Sequence, residues 1–194
     1  MHIRMNELNN ERGGVLAGAT PGRKAFTKLL EEVTDYEPNS PEPLFLNFAD
    51  INVATASFLR ESVFAFRNAI RSRRSNLYPV IANANKLVVD ELAVLLQPRG
   101  DVLLLCSLDE TGHPREPRLL GVLDPKQRIT FDLVQELEET NAAELHRQHK
   151  DGDLGQTAWN NRLAALAGLG VIVELRHGRA KRYRPLLKGV AHGA

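Results

Sequence analysis

The segment Gly155–Leu187, GQTAWNNRLAALAGLGVIVELRHGRAKRYRPLL, constrains this chain more than any other. It reads as a helix, a glycine stop, a strand, a tight basic turn and a second strand. Trp159, Leu163, Leu166 and Gly170 recur at the spacing of one face of a 3.6-residue repeat, and Ala158, Ala165 and Leu169 widen that apolar face. Gln156, Thr157, Asn160, Asn161 and Ala164 fall on the other side. Gly168 and Gly170 supply the left-handed conformations that end helices. Val171-Ile172-Val173 begins a strand, His177-Gly178 turns it, and Lys181–Leu186 returns as its partner. From Gly155 to Lys188 there are seven Arg or Lys and one acid, Glu174, in a chain whose net charge is only +1.

Upstream, Ile129-Thr130-Phe131 opens a helix with Leu133, Val134 and Leu137 on one face. Asn141 caps a second helix, Ala142 to His149, with Leu145 inward. Helix, helix, helix, basic hairpin, from Asp124 to Lys188, resembles a winged helix-turn-helix domain. The resemblance implies double-stranded DNA as partner. Asn160, Asn161 and Arg162 then approach base edges or phosphates, since Asn and Arg pair bidentately with adenine and guanine. Arg176, His177, Arg179, Lys181, Arg182 and Arg184 then contact the phosphate backbone. The competing reading is a hairpin charged for solubility, or a module that docks on protein.

The N-terminal two-thirds alternates strand and helix signals. Strand patterns stand at Met1–Met5, Val15-Leu16, Pro43–Phe48, Tyr78–Ala82 and Asp101–Cys106, with an edge strand at Leu119–Leu123. Helices are expected after Thr20-Pro21 (Thr as cap), after Thr55 or Ser57, and over Lys86–Leu96 with Leu87, Val88, Leu92 and Leu95 inward. Arg67, Arg71, Arg73 and Arg74 gather at the end of the second helix, where they suit the helix dipole. Strands separated by such helices imply a largely parallel or mixed sheet with helical cover. The run Leu44–Ile51, then Ser57-Phe58-Leu59-Arg60-Glu61, with Gly22-Arg23 before it, resembles the STAS-like domains. The expected fold is therefore α/β: a STAS-like mixed sheet over residues 1–123, then a small winged helix over 124–194 that folds on its own.

The STAS-like resemblance implies an oligomerisation or partner-sensing role, with a homodimer or a kinase-like ATPase as candidate partner. It also draws attention to Ser57 as a switch, because phosphorylation at such a helix start controls some STAS domains. The sequence around it, Asp50 to Ser57, lacks the setting of that class, and helix capping competes with the switch reading. His146 and His149, near Asp151 and Asp153, form an i, i+3 pair that a metal or a solvated helix end explains. The Glu136, Glu138, Glu139 run has no matched basic partner and reads as a solvated face. Ser107–Glu116 lacks a nucleophile elbow, and Gly13–Gly22 fits no phosphate-binding fingerprint. We expect no enzyme activity, cofactor or metal. The lone Cys106 lies in an apolar run and reads as a buried thiol. No run is long enough to span a membrane, and MHIRMNELNNER has no apolar signal region, so a cytoplasmic protein is expected.

Overall fold

A computed structural model describes residues 1–8, 13–73, 75–149, 155–178 and 180–192; for Arg99 and His177 it describes the backbone alone. The fold is mixed α/β. Its main sheet has six strands in the order β1-β3-β5-β6-β7-β10. These are β1 (His2–Arg4), β3 (Glu42–Asn47), β5 (Leu77–Ala82), β6 (Val102–Leu108), β7 (Pro114–Gly121) and β10 (Ala191–His192). The first four run parallel, β7 is antiparallel to β6, and β10 lies parallel to β7. A small parallel pair, β2 (Val15–Leu16) and β4 (Val53–Ala54), sits apart.

The strand order decides where the helices go. From β1 to β6 the chain steps always in one direction, and parallel crossovers are right-handed. All the crossover helices must then lie on one face. They are α1 (Ala19–Glu32), the run α2 (Ala56–Leu59), π turn Arg60–Phe64 and α3 (Ala65–Ser72), and α4 (Lys86–Leu96). They cover Leu44, Leu46, Leu77, Ile81, Leu103 and Leu105. The alternating residues Phe45, Tyr78, Val80, Val102 and Leu104 point to the opposite face, and these too are buried. What buries them is the C-terminal part of the chain: α5 (Pro125–Leu137), α6 (Ala142–Gln148), α7 (Gln156–Leu169) and the hairpin β8 (Ile172–His177) and β9 (Ala180–Pro185). Phe131, Val134, Leu145, Trp159, Leu163, Leu166, Val173 and Tyr183 join the same apolar cluster as that sheet face. Both faces are thus covered, which is why β5 reads as an unbroken apolar run.

Several local expectations shift. Gly18, not Thr20, caps α1, and it does so without a side-chain bond. Gly22 lets α1 touch α2 and the π turn; a Cβ there would lie 2.8 Å from the Phe58 carbonyl oxygen and 3.0 Å from Glu61 Cβ. Leu87 is 59% exposed and Leu96 takes the inward position on α4. Helix α5 starts four residues before Ile129, because Asp124 and Gln127 form a capping box and Pro125 follows it. Its buried face is Thr130, Phe131 and Val134. Strand β7 is covered at Arg118 and Leu119, where the two-residue β10 pairs with it. The basic cluster of the second helix is also more than a dipole match. Arg67 is buried against Asp101 and the Val102 carbonyl, and Arg71 reaches across to the carbonyl of Ala167 in α7 at 3.1 Å. Arg74 lies outside the described residues.

Candidate nucleic-acid interface

Helix α7 is held by its apolar stripe. Trp159, Leu163, Leu166 and Ala167 are buried, whereas Ala165, expected on that side, is exposed. Gly170 ends the helix at φ 79°, a left-handed conformation that glycine adopts without strain. Arg71 caps the same end, and its guanidinium stacks 3.9 Å from the centre of the Tyr78 ring. With the stripe fixed, the outer face is set. Gln156, Thr157, Asn160, Asn161 and Ala164 are all exposed. Arg162 is half-buried, with its guanidinium 5.2 Å from the Trp159 ring centre.

Several of the hairpin's cations engage the protein's own groups. Arg176 and Lys181 face each other across β8 and β9, a like-charge pair that repels in isolation. Glu174 lies between them and accepts from Arg176 Nε and Lys181 Nζ, each at 3.0 Å. Burial would raise the Glu174 pKa, but these hydrogen bonds and charges outweigh it and hold it below the usual value. Both cations remain open to solvent at their outer sides, with side chains 62% and 48% exposed. Arg182 is held by Glu139 and, at 3.0 Å, by Glu144. Burial likewise opposes ionisation of Glu144, yet Arg182 keeps its pKa low. Arg184 donates to the Pro41 carbonyl at 3.2 Å, and Lys188 pairs with Glu138 at 2.6 Å. The Glu138–Glu139 run therefore does have basic partners. Arg182 and Arg184 are committed to the protein's own groups. The His177 side chain and the whole of Arg179 lie outside the described residues.

The hairpin is fixed to the helices by a bridge between Thr140 and Tyr183, with reciprocal backbone bonds of 2.9 and 2.7 Å. Asn141 caps α6 through the Glu144 amide. Thr140 is fully buried, and no periodicity in the sequence marks it as a sheet residue.

Ser57 is in the first turn of α2 but does not cap it. Thr55 does, accepting from the Phe58 amide, and the Ser57 hydroxyl lies 3.1 Å from the Thr55 hydroxyl. Glu91 accepts from the Ala56 amide at 3.0 Å, so a carboxylate already occupies this helix start. His149 packs against Trp159, ring centres 6.0 Å apart, rather than standing free in solvent; Asp151 and Asp153 lie outside the described residues. Among the described residues no group of three His, Cys, Asp or Glu has metal-holding geometry. Cys106 is buried, which pushes its thiol pKa up to about 11. A separate concavity of about 890 Å³ opens at the carboxyl ends of β1, β3 and β5. Its floor residues Asn47 and Asn83 are bonded to each other at 3.0 Å. No helix among the described residues is long and apolar enough to cross a membrane. No protein-family model matches the chain, and no curated protein matches it.

Proposed function

We propose that this protein is a DNA-binding regulator. Residues 124–194 act as a winged helix, with α7 as recognition helix and β8–β9 as wing. The STAS-like part, residues 1–123, serves oligomerisation or partner sensing. The observation that carries this reading is the outer face of α7. It is exposed, polar and uncharged, while the opposite face anchors the helix on the sheet. On the outer face two adjacent carboxamides, Asn160 and Asn161, stand open to solvent, the side chains that pair with base edges. The bridge of Thr140 to Tyr183 supports the winged-helix reading further, because it ties the segment between α5 and α6 to the wing. Arg176 and Lys181 supply the phosphate contacts.

The internal pairing of Arg182, Arg184 and Lys188 favours a second reading, a winged helix that docks on protein. Phosphate would have to compete with the partners of these cations, as it would with Glu174 for Arg176 and Lys181. A salt titration with random duplex DNA separates the two. The DNA reading expects binding at low salt and a log–log slope of roughly −0.9 per phosphate neutralised. Absence of measurable binding at low salt would leave the docking reading alone.

A further inference from the structure

We infer that the base-reading surface of α7 is built for A·T pairs in the major groove. This rests on the DNA-binding reading above and names its substrate class. Gln156, Thr157, Asn160, Asn161 and Ala164 form one continuous exposed face at the N-terminal end of the helix. The N-terminal residues of a recognition helix are those that reach base edges. Carboxamides of Asn and Gln pair bidentately with adenine N6 and N7, and methyl groups of Thr and Ala pack on the thymine methyl. Guanine is read instead by Arg or Lys, and cytosine by Asp or Glu. This face carries none of those four. The one cation of α7, Arg162, is half-buried with its guanidinium over Trp159, off the exposed face. Adenine alone offers a donor and an acceptor side by side, so it pairs with a carboxamide through both its groups, whereas guanine or cytosine engages only one of them.

The test compares the full chain on two labelled duplexes of equal length, one all A·T and one all G·C, at several salt concentrations. The inference expects the A·T duplex to bind at least about fivefold more tightly, the lower end of what one good bidentate pair discriminates. Replacing adenine by 7-deazaadenine removes only the major-groove N7 acceptor and should abolish that preference. Asn160→Ala with Asn161→Ala should abolish it too, leaving binding to the G·C duplex and the salt slope unchanged. Equal binding to both duplexes, with a steep salt slope, would overturn the A·T inference and leave the DNA reading standing. A preference that survives 7-deazaadenine would also overturn it, by assigning the effect to the minor groove. Binding to neither duplex at low salt would overturn both.

Discussion

Trp159 and Asn160 are neighbours in sequence and opposites in environment: the indole is 3% exposed and the carboxamide faces solvent. Substitutions should separate them. Trp159→Ala should cost about 3–5 kcal/mol in urea unfolding, as large-to-small core changes do. Asn160→Ala with Asn161→Ala should change stability by no more than about 0.5 kcal/mol for each residue. A large loss from the double Asn variant would mean that the helix phase is wrong. This phase was legible in the sequence because it depends only on spacing within α7. The fate of Arg182 was not. Its partners Glu139 and Glu144 lie 43 and 38 residues away, on either side of Thr140, whose bridge to Tyr183 sets them beside it. A count of charge along the chain cannot see carboxylates delivered by another element.

At the scale of elements, one carboxylate, Glu174, holds two cations of the hairpin, Arg176 and Lys181. Glu174→Gln should release Arg176 and Lys181 at neutral pH and remove a charge that repels phosphate. The variant should bind random duplex DNA more tightly, with a slope steeper by up to about two phosphates' worth; an unchanged affinity would show that these two cations do not meet DNA. Acid should act in the same direction. The Glu174 pKa is held below 4.5, so its pairs contribute stability above that pH and lose it as pH falls through the lowered value. Helix α7 depends on a second element in a similar way. Arg71 of α3 caps it from across the sheet. Arg71→Met keeps an apolar side chain near Tyr78 but loses both the charged hydrogen bond and the cation–π stack, and should cost about 1.5–3 kcal/mol or more in urea unfolding. The arginine cluster was visible in the sequence, but its target, 96 residues on, was hidden because the contact crosses between layers.

At the scale of the molecule, the monotonic strand order puts every crossover helix on one face, so the C-terminal helices are the cover for the other. Alternation of strands and helices gave the α/β class directly, but not this dependence. It follows from topology, which periodicity within single elements does not carry. The intact chain should accordingly unfold as one cooperative unit. The single tryptophan, Trp159, reports the C-terminal half by fluorescence, and far-UV circular dichroism reports the whole chain. Their urea transitions should coincide; an earlier or later fluorescence transition would mark residues 124–194 as an independent domain. The central claim is that the outer face of α7 and the hairpin meet duplex DNA. It is tested most directly by the side-chain amide resonances of Gln156, Asn160 and Asn161 in a 15N spectrum of the full chain, recorded as duplex DNA is added. The account predicts that these signals shift together with the backbone of β8 and β9, while those of α1 and α4 stay in place. Shifts confined to the N-terminal helices, or none at low salt, would contradict it.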